Sequence, residues 1–117
     1  MSKRIIVLED NKEILDLIEE ILTDEGYHIM AFNHYESVDN IIDFAPQLIL
    51  IDVRLTDGYG HLLCADLKAN PQTSHIPVIL VSGAGNLEKI AQECHADNFL
   101  SKPFNMDDLV KMVKLYD

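Results

Sequence analysis

The stretch Leu48-Ile49-Leu50-Ile51-Asp52 decides the fold. Four aliphatic residues in succession leave no apolar–polar alternation, so both faces of this strand must be covered. Parallel strands lying between two helical layers have this character. The run stops at a carboxylate, Asp52. Working outward, further strand-like runs fall at Arg4–Leu8, His28–Phe32, Val78–Val81 and Asn98–Leu100. His28–Phe32 is the more polar and reads as an edge strand.

Helical patterns separate these runs. In the first, Ile14, Leu17, Ile18, Ile21 and Leu22 form an apolar stripe, with Glu13, Asp16, Glu19, Glu20 and Asp24 opposite and Gly26 as a stop. The second carries Val38, Ile41, Ile42 and Ala45, before Pro46. The third has Leu62, Leu63, Ala65 and Leu67 and ends near Asn70-Pro71. The fourth has Leu87, Ile90, Ala91 and Cys94, with Asn86 as N-cap. The fifth has Leu109, Val110, Met112 and Val113, with Asn105 as cap. Strict alternation of five strands and five helices predicts an α/β sandwich around a parallel sheet. Its 117 residues fit one domain spanning 1–117, with no repeat or linker, and the last helix is expected to end with the domain.

Bulk properties exclude several classes. A net charge of -11 opposes direct nucleic-acid binding, since phosphate backbones demand basic surfaces. No apolar run nears the roughly 18 residues of a membrane span. The basic start followed by four apolar residues is ended by Glu9 and Asp10, too soon for a signal peptide. A soluble, cytoplasmic protein is the expectation. Cys64 and Cys94 lie in apolar helical patterns and read as small core residues, not as a disulfide. The five histidines show no metal-ligand spacing.

Open parallel sheets bind ligands at the carboxyl ends of their strands, where strand order reverses. The first strand ends in Glu9-Asp10, the third in Asp52, the fourth in Ser82-Gly83 and the fifth in Ser101-Lys102-Pro103. In a 2-1-3-4-5 order the first and third strands are neighbours, so Glu9, Asp10 and Asp52 share one cleft. Two like charges about 4 Å apart repel by roughly 4 kcal/mol at an effective dielectric near 20. Either one acid takes a proton or a cation binds. Magnesium suits the second outcome, through one or two carboxylates plus waters and phosphate oxygens. Lys102 adds a positive charge that can serve Asp52 and then a phosphoryl oxygen, and Ser82 adds a hydroxyl. Such a set suits phosphoryl transfer to an aspartate, a nucleophile that as a class needs no general base at neutral pH.

The run Ile5-Ile6-Val7-Leu8-Glu9-Asp10 opens a longer pattern. Leu-Ile-Leu-Ile-Asp52-Val-Arg-Leu follows, with Gly60 eight residues after the aspartate, then Pro-Val-Ile-Leu-Val-Ser-Gly and Phe-Leu-Ser-Lys-Pro-Phe. Across essentially the whole chain this resembles the receiver domains of bacterial two-component response regulators. The resemblance implies a flavodoxin-like (βα)5 three-layer sandwich with a five-stranded parallel sheet, order 2-1-3-4-5. It implies phosphorylation of Asp52 by a sensor histidine kinase or phosphotransfer protein. Asp10, Asp52 and the main-chain carbonyl of Arg54 would hold Mg2+, with Glu9 acting through water. Ser82 and Phe99 would form the switch, and Lys102–Pro103 would be cis. The partner surface would be helix four, strand five and helix five, roughly Leu87–Leu115, facing an effector or output domain. A phosphorylation-dependent dimer is among the implied assemblies.

Departures from the family pattern bear on this. Thr56 stands where proline is frequent, which predicts a looser loop unless the Asp57-Gly58 turn compensates. Ser82 replaces the more frequent threonine, and Phe99 the more frequent tyrosine. Arg54 and Ala84 occupy positions expected to tune phosphoryl lifetime. Three plainer or rival readings stand beside this one. Asp10 with Glu13 fits a helix capping box. The chain fits a degenerate receiver that only binds partners. It also fits an aspartate-nucleophile phosphatase, although Arg54 occupies the place of that class's second aspartate.

Overall fold

The computed structural model describes residues 3–117. Its elements in chain order are β1 (Arg4–Leu8), α1 (Lys12–Asp24), β2 (His28–Phe32), α2 (Val38–Phe44), β3 (Leu48–Ile51), β4 (Arg54–Leu55), β5 (Gly58–Tyr59), α3 (Gly60–Ala69), β6 (Val78–Ser82), α4 (Leu87–Glu93), β7 (Asn98–Ser101) and α5 (Met106–Lys114). Five strands form one sheet in the order β2-β1-β3-β6-β7, every pair parallel. With the short antiparallel hairpin β4–β5 set aside, this is the expected 2-1-3-4-5 order of a flavodoxin-like fold.

Strand parity builds the two cores. Side chains alternate across a strand, so Ile6, Leu8, Ile49, Ile51, Val78 and Leu80 face one side. There they meet Ile41 of α2, Leu63, Cys64 and Leu67 of α3, and Leu87 and Ala91 of α4. Their neighbours Ile5, Val7, Leu48, Leu50, Ile79 and Val81 face the other side, against Leu15, Ile18 and Leu22 of α1 and Leu109 and Val113 of α5. Each fully buried aliphatic side chain contributes about 2 kcal/mol of transfer free energy. The outer strands are less covered: His28 is exposed and the rest of β2 half-buried.

Some local expectations are corrected. In α1 the buried residues are Leu15, Ile18, Ile21 and Leu22, while Leu17 is 47 % exposed. Leu17 lies about 100° round the helix from Ile18, which swings it away from the sheet. In α3 the buried stripe is Gly60, Leu63, Cys64 and Leu67, and Leu62 faces outward. Asn11 is the N-cap of α1, its side chain accepting from the Ile14 amide at 3.1 Å. Asp10 is therefore free of capping duty, against the capping-box reading. Asn105 caps α5 as expected, accepting from the Asp108 amide at 2.8 Å. Asn86 sits at the start of α4 but makes no side-chain capping bond. Cys64 and Cys94 are buried and free, the Cys64 thiol donating to the Cys94 carbonyl at 3.5 Å.

The segment after Asp52 is not loose. Leu55 pairs with Gly58 and Arg54 with Tyr59 around the Thr56-Asp57 turn. The Asp57 carboxylate accepts the Tyr35 amide at 2.7 Å, tying the hairpin to the chain after β2.

Candidate functional site

The carboxyl ends of β1, β3, β6 and β7 surround a cavity of about 460 Å³. Glu9, Asp10, Asp52, Arg54, Ser82 and Lys102 line it, together with Gly83 and Ala84. Topology alone explains this gathering. Register places Leu8 beside Ile51 and Ser82 beside Ser101, so the residues that follow each strand emerge at one rim.

The geometry separates two layers. At the floor, Glu9, Asp52 and Ser82 are nearly inaccessible. The Asp52 amide donates to the Leu8 carbonyl at 2.8 Å, fixing Asp52 to the end of β1. Lys102 Nζ lies 3.0 Å from Asp52 Oδ2 and 2.6 Å from Glu9 Oε1. The Arg54 amide donates to Asp52 Oδ1 at 3.3 Å, and the Asn11 amide to Glu9 Oε2 at 3.1 Å. Ser82 Oγ accepts the Ala84 amide at 3.3 Å. The Lys102–Pro103 bond is cis. At the rim Asp10 is exposed, and the Thr56 hydroxyl donates to its Oδ1. Phe99 lies outside the cavity lining, half-buried in β7 against the cluster under α2, α3 and α4.

Two pairings were not foreseen from sequence. Glu9 contacts the Lys102 ammonium directly, where the resemblance assigns it a water-mediated part. Thr56 meets Asp10 although 46 residues separate them. No sequence pattern signals either contact, because both depend on how strand ends and a two-residue hairpin converge.

Three carboxylates against the Lys102 ammonium and the Arg54 side chain leave the lining acidic by one charge when all are ionised. Burial pushes the Glu9 carboxyl up from 4.5 to about 7, and the Asp52 carboxylate pushes it the same way. The Lys102 ammonium opposes this without overcoming it. Burial pulls the Lys102 ammonium down, but its bonds to Glu9 and Asp52 outweigh that and hold it above its ordinary value. Glu9 Oε1 has no hydrogen-bond partner of good geometry among the described residues, only the Lys102 ion pair.

Carboxylates in excess of cations, with an all-oxygen donor set, fit a hard divalent cation. Among the described residues no three His, Cys, Asp or Glu side chains group tightly enough to cage a metal by themselves. Magnesium accepts such a partial set, keeping waters in its remaining positions.

A pH dependence follows for the cation-free protein. The folded-state pKa of Glu9 lies above its unfolded value, so the folded state holds an extra proton between about pH 4.5 and 7. That contribution is complete below pH 4.5 and is lost as pH rises through about 7. It amounts to about 3 kcal/mol across the window. Urea midpoints without divalent cations should fall over this range, and Glu9→Gln should flatten the fall. An unchanged slope in Glu9→Gln would refute the assignment.

Comparison with known proteins identifies the family and the fold. The family described as response regulator receiver domain matches residues 5–114. The chain is 32% identical over 117 residues to the phosphate regulon transcriptional regulatory protein PhoB of Escherichia coli (strain K12). That match covers 97% of this chain and 51% of PhoB, so the chain spans about half the length of the curated relatives it matches. A CheY-like response regulator receiver domain protein from Methanospirillum hungatei JF-1 superposes with TM-score 0.88 at 29% identity, covering 98% of this chain and 93% of that one. The BeF3-activated DrrB receiver domain, DrrB being a Thermotoga maritima OmpR/PhoB homolog, gives TM-score 0.81 at 27% identity, covering 99% and 97%.

Proposed function

The chain belongs to the response regulator receiver domain family of two-component signalling, and from that premise we propose that it accepts a phosphoryl group on Asp52. The observation that carries this is the Asp52 carboxylate at the cavity floor, 3.0 Å from Lys102 Nζ. A sensor histidine kinase or phosphotransfer protein is the donor. A carboxylate oxygen of Asp52 attacks phosphorus in line, the O–P bond forms, and the donor's N–P bond breaks with its electron pair returning to the imidazole. Lys102 faces the charge gathering on the phosphoryl oxygens.

Asp10 and Asp52 would hold Mg2+, with the Arg54 carbonyl as a further ligand and Glu9 acting behind them. Bound there, the ion would neutralise charge on the transferring phosphoryl group. Ser82, whose Oγ faces the Ala84 amide, would turn toward the new oxygens, and Phe99 would repack in response. The phosphoryl group adds a charge of about -1.5 to -2, enough to bias a two-state surface. That surface is the α4, β7 and α5 face, which would meet an effector or output domain, or a second copy in a phosphorylation-dependent dimer. We place the domain in the cytoplasm, where it acts as a signalling module that catalyses only its own modification and its reversal.

The test is incubation with a small acyl phosphate and Mg2+, followed by intact mass. One phosphoryl group should appear on the protein and none on Asp52→Asn. No uptake by the unmodified protein would favour a phosphorylation-independent binding platform. Sustained hydrolysis of unrelated phosphate esters would favour a phosphatase.

A further inference from the structure

Asp10 is held by a group that does not itself line the cavity. The Thr56 hydroxyl donates to Asp10 Oδ1 from the turn of the β4–β5 hairpin. It is the one hydrogen bond that the Asp10 side chain accepts among the described residues.

The hairpin that presents Thr56 is braced on two sides. The Asp57 carboxylate takes the Tyr35 amide at 2.7 Å, and Gly58 lies directly against the Tyr35 ring. The Gly60 amide donates to the Val53 carbonyl at 2.7 Å, closing the segment back onto the end of β3. Thr56 is thus fixed relative to Asp52, and through its hydroxyl it fixes Asp10. An exposed carboxylate with no partner turns freely about its last torsion. A hydroxyl on Oδ1 limits that rotation and leaves Oδ2 available. Groups that orient a metal ligand in this way commonly change metal affinity by ~10- to 100-fold when removed.

We infer that Thr56 is a positioning residue for the cation site, holding Asp10 so that its free oxygen is ready for Mg2+. The inference rests on the reading of Asp10 as a metal ligand. Proline, which the family frequently carries at this place, has no donor.

The test is calorimetric titration of the whole chain with Mg2+ alone. Thr56→Val keeps the side-chain shape and removes the donor, so Mg2+ should bind ~10-fold more weakly. Thr56→Ser keeps the hydroxyl and should bind within about twofold of the unmodified protein. Asp10→Asn should bind far more weakly than either. Thr56→Ala serves as a second donor-free variant, and urea midpoints confirm that each variant is folded. If Asp10→Asn weakens binding while Thr56→Val binds as tightly as the unmodified protein or more so, Thr56 has no positioning part. If Asp10→Asn binds Mg2+ normally, the metal-ligand reading itself fails and this inference with it.

Discussion

Replacing Gly60 with alanine is expected to cost more than about 3 kcal/mol of folding stability and to impair Asp52 as an acceptor. A Cβ at Gly60 would stand 1.8 Å from the Asp52 carbonyl oxygen and 2.3 Å from Ile51 Cγ2. The first of these is backbone, so no rotamer change relieves it. One route to relief moves α3 away from β3. That would open voids beside Leu63 and Leu67, both fully buried. The other route displaces the Asp52 carbonyl and with it the Asp52 side chain at the cavity floor. Ordinary overpacking costs about 1–3 kcal/mol, and an unyielding backbone contact belongs at or above the top of that range. Gly85 supplies the control, because nothing lies within 4 Å of a Cβ built there. Gly85→Ala should shift stability by no more than about 0.5 kcal/mol. Urea denaturation of the two variants, with phosphoryl uptake measured alongside, makes the comparison. Equal midpoints would mean that α3 does not approach Asp52 this closely.

The architecture was legible in the sequence because three of its five sheet strands are nearly pure aliphatic runs. Leu48–Ile51 is buried on both faces, as an unbroken run requires, and parity sends Ile49 and Leu50 into opposite cores. Helix faces were less legible. Six apolar residues in α1 can be divided into more than one stripe, and only the packed sheet selects Leu15 over Leu17. The β4–β5 hairpin escaped because two-residue strands have no measurable period. It forms through tertiary ties, the Asp57 contact with the Tyr35 amide among them.

For the site, membership and the Lys102–Asp52 pair were legible, whereas the Glu9–Lys102 and Thr56–Asp10 pairs were not. A residue ending a parallel strand must emerge at the carboxyl rim, so Glu9, Asp10, Asp52, Ser82 and Lys102 were bound to converge. Which carboxylate turns inward is set by depth. Glu9 is 1 % exposed beside the Lys102 ammonium, while Asp10, the next residue, stands at the rim with Thr56. The resemblance already separated a direct metal ligand, Asp10, from a water-mediated Glu9; burial adds that the inner residue carries a displaced proton equilibrium and the outer one is open to solvent.

That division makes Lys102→Met the other substitution of large effect, and one whose size depends on pH. Methionine replaces the apolar stem and removes the ammonium that sits 2.6 Å from Glu9 and 3.0 Å from Asp52. Breaking a buried ion pair by removing one partner costs about 3–5 kcal/mol, because the other charge stays desolvated. Here two carboxylates are stranded, but Glu9 has an escape. Its pKa is already about 7 with Lys102 holding it down, so loss of that ammonium must raise it further. At pH 5 Glu9 is then neutral in both proteins, and only the Asp52 contact is lost. At pH 8 the unmodified protein keeps Glu9 ionised against Lys102, whereas the variant must bury that charge unpaired or take up a proton. The stability difference should therefore widen as pH rises through about 7, by up to about 1.4 kcal/mol between pH 5 and pH 8 without divalent cations, on top of the loss at Asp52 that is present at both. Phosphoryl uptake from a small acyl phosphate should slow by roughly tenfold to a hundredfold, since Lys102 is the one lysine lining the cavity among the described residues. Urea midpoints of both proteins at pH 5 and pH 8 decide the matter. A loss of the same size at both values would mean that Glu9 and Lys102 do not share a proton-linked contact.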